Sequence, residues 1–160
     1  MFEKELFEHI QNNFNEYLPE AWQGVNVYFG EVPEVQKAPY IVMYPISNNG
    51  TRQVLCDNDD YTDGAISIQF NVYAPDYTNA LYLGKKLDVF LTEIDVLDSF
   101  YIMLNNHENI RGFPDISNGL SLETITRHFT YTVITPTEYQ NLVCKLGVLA
   151  VLNNIRLAVN

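Results

Sequence analysis

The chain has little positive charge. Nine Lys and Arg stand against twenty Asp and Glu in 160 residues, a formal net charge of −11. An acidic surface repels phosphate backbones and anionic headgroups, so ordinary nucleic-acid binding and docking on anionic membranes are both disfavoured. Cysteine is nearly missing. Cys56 and Cys144 are far apart and match no zinc spacing, which reads as free thiols in a reducing compartment. Histidine is scarce as well. His9, His107 and His128 lie at no ligand spacing from one another, so no metal and no cofactor are expected. Long apolar runs are also lacking. The cleanest, 146–152, is far shorter than the ~20 residues a spanning helix needs. The N-terminal "MFEKELFEHI" carries glutamates where a secretory leader carries lysine or arginine, and the chain reads as cytosolic. The sequence contains no Walker loop, no GxGxxG and no GxSxG.

What is abundant is aromatic. Eleven tyrosines and nine phenylalanines, with a hydrophobic share of 47%, exclude a disordered chain and supply a real core. The length fits one domain, placed at 1–139. Beyond it, 140–160 is an apolar extension interrupted by Lys145, Asn153, Asn154 and Arg156. It reads as a partner-facing segment, a core segment or a cloning remnant.

Periodicity supplies the elements. Phe2, Leu6, Ile10, Phe14 and Tyr17 recur at spacings of three and four, which predicts an amphipathic helix over 2–17. "GVNVYFG" (24–30) reads as a strand with Val25, Val27 and Phe29 on one face. "YIVMYP" (40–45) reads as a strand closed by Pro45, which cannot donate to a central ladder. The polar stretch 47–64 reads as a loop, with Asn49-Gly50 as a turn. In 65–73, Ile66, Ile68, Phe70 and Val72 alternate with Ser67, Gln69 and Asn71, the pattern of a sheet covered on one side. A helix follows, capped by Asp76 or Thr78, with Ala80, Leu83, Leu87, Phe90, Leu91 and Ile94 as its apolar stripe. A strand over 100–104 and a turn-rich loop over 105–119 come next. The last strand, 122–134, turns Ile125, Phe129, Tyr131 and Val133 one way. Thr124, Thr126, His128, Thr130 and Thr132 go the other way. The order of helix, three strands, helix and two strands predicts an α+β fold. It is a mostly antiparallel sheet of four to five strands with two helices packed on one face.

No local motif carries catalysis. "LCDNDDYTDG" (55–64) crowds Asp57, Asp59, Asp60 and Asp63 around Tyr61. An EF-hand register from Asp57 puts Thr62 at the glycine position and Ile68 at the glutamate position. A register from Asp59 puts Phe70 at the latter, so both fail. Paired catalytic carboxylates need different environments, and a run of exposed aspartates gives its members the same one. A Cys–His nucleophile would need Cys56 or Cys144 beside His107 or His128, which no local pattern supports. The chain is therefore expected not to be an enzyme. Strand faces rich in threonine and tyrosine favour assembly instead, and the long segments 47–64 and 105–119 suit functional loops.

The order "APYIVMYPI", a long polar loop, "GAISIQFNVYAPDYTNALYLGKKLDVFL" and a final "TRHFTYTVI" resembles the tail-terminator and tail-completion proteins of long-tailed bacteriophages. These include the lambda-type tail terminator and the tail-to-head joining proteins. The likeness runs from Phe2 to about Thr135 and contains no catalytic signature. It implies a structural virion protein of a phage or prophage that forms a homo-oligomeric ring, a hexamer in the family. The ring caps the tail tube, stops its polymerisation and meets the head-completion or connector protein. DNA passes through without sequence-specific binding, and no membrane is involved. The implied location is the tail–head interface of the virion, and the host cytoplasm during assembly. On this likeness Asp57, Asp59, Asp60, Tyr61 and Asp63 line the lumen or a neighbouring ring. Thr124, Thr126, His128 and Thr130 are candidate subunit contacts. The alternatives are another neck or tail-tube subunit, or a small-molecule-binding module with Tyr28, Tyr40, Tyr44 and Phe70 around a pocket.

Overall fold

The computed structural model describes residues 1–34, 36–52, 62–113 and 119–134, with backbone alone at 47–52, 62–63 and 107–113. The elements run α1 (Phe2–Tyr17), β1 (Asn26–Phe29), β2 (Tyr40–Arg52), β3 (Thr62–Ala74), α2 (Tyr77–Thr92), β4 (Phe100–Phe113) and β5 (Ser121–Val133). A short 3-10 turn, Glu20–Trp22, follows α1. This is the predicted order, and the fold is α+β.

The five strands form one sheet in the order β1-β2-β3-β5-β4. Among the described residues only β1 and β2 pair in parallel; the other three pairings are antiparallel. The inward side chains of the strands and the apolar stripes of both helices meet in one core. It includes Phe2, Leu6, Ile10 and Phe14 from α1, Leu83, Leu87 and Leu91 from α2, and Ile66, Ile68, Phe70 and Val72 from β3. Each such side chain contributes ~1.5–3 kcal/mol by leaving water. Helix α2 begins where the sequence allows a cap: the Asp76 carboxylate accepts from the Asn79 N–H at 2.9 Å, pairing one amide of the first turn that has no helical partner. Helix α1 is tied down at its start. The Glu5 carboxylate accepts from the Ser99 N–H at 2.8 Å, just before β4.

Two predicted boundaries are corrected. The segment 47–64 is not all loop: β2 runs on to Arg52, and β3 begins at Thr62. Asn49-Gly50 is therefore not a turn but lies within the ladder, Asn49 opposite Ala65 and Gly50 opposite Gly64. Likewise β4 continues from Asn105 to Phe113, and His107 pairs with Arg127 in it. In both places the backbone ladder extends through sequence without apolar alternation, so the pattern for a half-buried strand is missing while the pairing persists. Pro45 does not end β2. It sits opposite Ile68 beside a register shift between Pro45 and Ser47. Since β1 stops at Phe29, opposite Met43, Pro45 lies where β2 has no partner on the β1 side among the described residues, and a missing donor there costs nothing.

Candidate functional site

The sheet has a second face, turned away from both helices, and every expected contact residue with a described side chain lies on it. The alternation of β5 buries Ser121, Glu123, Ile125, Arg127, Phe129 and Tyr131. It turns Thr124, Thr126, His128 and Thr130 outward, half-buried, in the middle of the sheet. Opposite them in register stand Asn71, Gln69, Ser67 and Ala65 of β3. These outward polar groups bond among themselves. Gln69 Nε2 donates to Asn71 Oδ1 at 2.8 Å, the Thr124 hydroxyl donates to the same oxygen at 3.1 Å, and Ser67 Oγ lies 2.5 Å from His128 Nδ1.

Towards β1 the same face becomes aromatic. Tyr40 and Tyr73 stack with ring centroids 4.8 Å apart, Tyr28 meets Tyr40 edge-on at 6.1 Å, and the Tyr28 hydroxyl donates to Gln36 Oε1. Val42 sits between Tyr28 and Asn71 in register and is fully buried although it points outward. Partial burial raises the Tyr40 and Tyr44 phenols above their ordinary value, with further upward pushes from neighbouring phenols.

Charge is what this face lacks. Among its described outward side chains on β1, β2, β3 and β5 there is no Asp, Glu, Lys or Arg, in a chain with twenty acids. Tyrosine enrichment with charge depletion is the composition of an interface core.

Asp57, Asp59, Asp60 and Tyr61 lie outside the described residues, as do Cys56, Cys144 and 140–160. Asp63 belongs to β3, its backbone opposite Thr51 and Thr132. The pocket expected from Tyr28, Tyr40, Tyr44 and Phe70 does not form: the three tyrosines face outward, while Phe70 points into the core and is fully buried. Among the described residues no group of three or more His, Cys, Asp or Glu is placed to hold a metal ion. No helix there is long and apolar enough to cross a membrane.

Two charged residues on the inward face of β5 were missed by the sequence reading, although both share the parity of Ile125 and Phe129. Arg127 is 1% exposed. Its Nη1 donates to Asp88 Oδ1 at 2.5 Å and to the Asp88 carbonyl at 3.0 Å, its Nε to Asn105 Oδ1 at 2.8 Å, and its Nη2 to Thr92 Oγ1 at 3.2 Å. Burial pushes this guanidinium down, and the Asp88 carboxylate pushes it back up. The cluster fastens α2 to β4 and β5 and so fixes the sheet that carries the outward face.

Glu123 is 2% exposed, and its Oε2 has no hydrogen-bond partner among the described residues. Burial raises its carboxyl above the ordinary value, with Lys85 acting weakly the other way. A raised folded pKa means that the folded state holds a proton the unfolded chain has lost. The contribution is fully present below about the ordinary 4.5 and disappears as pH rises through the folded value. Glu123→Gln is therefore expected to raise stability at pH 7 and leave it nearly unchanged at pH 4. Urea denaturation at the two pH values measures this, and an equal effect at both would show that the charge is not the cause.

No protein-family model matches the chain, and no curated protein shows a significant match to it.

Proposed function

We propose that the protein is a structural subunit of a phage or prophage tail, a tail-terminator or tail-completion protein. As a ring it caps the tail tube and joins it to the head connector. The observation that carries the assembly reading is the sheet face turned away from the helices, rich in tyrosine, threonine and amides, with no Asp, Glu, Lys or Arg among its described outward side chains on β1, β2, β3 and β5, in an otherwise acidic chain. The phage assignment rests on the resemblance of Phe2 to about Thr135 to that family. The order of elements supports it: a leading helix, the Tyr40 strand, the strand ending at Ala74, the Asp76-capped helix and a closing strand. The net charge of −11 suits a ring through which DNA slides, because basic residues in the lumen would hold the phosphates. No catalytic role is assigned to any residue.

The test is arrest of polymerisation. The protein is added to a phage tail-tube protein while tubes grow, and lengths are measured by electron microscopy. Short tubes bearing a cap at one end are the expected product, and tubes as long as those grown alone would refute the reading.

A further inference from the structure

Helix α2 rests on two buried ionisable side chains of β5, Glu123 and Arg127, and they hold it differently. Its second half is fastened. Arg127 donates to the side chain and carbonyl of Asp88 and to Thr92 Oγ1, and Asn105 Nδ2 donates to the Leu91 carbonyl at 2.6 Å. Among the described residues no side-chain hydrogen bond or ion pair joins the first half, 77–83, to the sheet. At the end of that half lies Glu123. Its Oε2 has no hydrogen-bond partner among the described residues. Its stem fills the place that a side chain at Gly84 would take, for a methyl group there would come within 2.7 Å of Glu123 Cγ. The glycine lets the helix close down on the carboxyl, and it is also the weakest point of the helix interior.

Among the described residues little around Glu123 can compensate a charge. β3 sets Val72 opposite it, with Phe70 and Ala74 as the buried neighbours, and β4 sets Gly112 opposite it. Along β5 the next inward residues are Ser121 and Ile125, and the charge of Arg127 beyond them is committed to Asp88. On α2, Lys86 turns to the Tyr17 and Tyr82 rings. That leaves exposed Lys85 as the charge that draws the carboxylate. An ionised carboxylate in such a place is far more costly than the neutral acid. Water and Lys85 reach it fully only when the helix above it lifts.

We infer that α2 is hinged at Gly84: when Glu123 gives up its proton, the first half of the helix lifts from the sheet while the second half stays fastened by Arg127. A released half-helix is too short to stay helical alone, so lifting is also local unwinding. The closed form holds the proton more tightly than the open form. Closure is therefore favoured at low pH and is lost as pH rises through the closed-state value. The device belongs to the single subunit and does not depend on the ring.

Hydrogen exchange, corrected for the intrinsic rate at each pH, reads this opening. In the parent chain the amides of 81–84 are expected to lose protection from pH 5 to pH 8, while Phe90 and Leu91 keep theirs. In Glu123→Gln both halves keep their protection over the same range. Trp22 gives a second reading. It is the single tryptophan and packs on Tyr82 of the first half with ring centroids 4.7 Å apart. Its emission is expected to shift to longer wavelength as pH rises in the parent and to stay in place in Glu123→Gln. Lys85→Gln, at an exposed position, is expected to move both changes to higher pH, since it removes the cation that favours the charged form.

Level protection at 81–84 in the parent would overturn the inference. So would a loss shared equally by Phe90 and Leu91, which would mean that the whole fold loosens and no hinge acts at Gly84. A Glu123→Gln chain that loses protection as the parent does would assign the change to another group.

Discussion

Arg127→Ala is expected to lower the unfolding free energy by about 3 kcal/mol or more, the scale for removing one partner of a buried ion pair. The cost has two sources. Asp88, Asn105 and Thr92 lose the donor that satisfies them, and the volume of a large, fully buried side chain becomes a void. In urea the midpoint falls while the slope stays constant, since the same surface is exposed on unfolding. Replacing both partners, Arg127→Met with Asp88→Leu, is expected to recover much of the loss, because the penalty comes from orphaned polar groups more than from the missing attraction. A loss below about 1 kcal/mol for Arg127→Ala, the range of an exposed pair, would contradict this account.

Gly64→Ala is the second large effect. Gly64 stands opposite Tyr131 in the β3–β5 ladder, and the phenol ring lies across it. A methyl group at Gly64 would come within 2.2–2.6 Å of the ring atoms. The ring has little room to swing away. It stacks on Phe2 with centroids 4.3 Å apart and meets Phe100 edge-on at 5.2 Å. Overpacking of this kind costs about 1–3 kcal/mol, against the small gain that alanine brings by stiffening the unfolded chain. The second variant Tyr131→Leu removes the ring and is expected to make Gly64→Ala nearly neutral in a double-mutant cycle. Thermal melts of the four proteins measure the coupling. Additive shifts would show that the ring is not what forbids a side chain at Gly64.

Those two residues show which parts of the fold can be read from sequence. The stripe Phe2, Leu6, Ile10, Phe14 predicts α1 because burial of one face imposes a spacing on apolar residues. The alternation of Ile66, Ile68, Phe70 and Val72 predicts β3 for the same reason. Arg127 breaks the rule by being buried and charged, since its partners come from α2 and β4, which no local pattern connects to it. Only its parity with Ile125 and Phe129 pointed inward. Gly64 was read as the end of a loop because a glycine beneath an aromatic ring leaves no apolar trace. The polar halves of β2 and β4 were missed because backbone pairing there continues without a buried side. The candidate face was more legible. Thr124, Thr126, His128 and Thr130 follow from the β5 alternation, and Ser67, Gln69 and Asn71 from that of β3. That the two strands adjoin, and that the tyrosines of β1 and β2 share their face, depends on strand order, which the sequence does not encode locally.

The central claim is that this chain closes into a ring. The most direct measurement is its mass in solution by light scattering after size exclusion, over a concentration series at low and high salt. With subunits of 18.4 kDa, the account predicts a discrete species near six subunits. Its fraction grows with salt, because screening weakens repulsion between copies that each carry −11. Heterogeneous filaments whose length increases with concentration would contradict it, since they would mean an open-ended contact in place of a closing one.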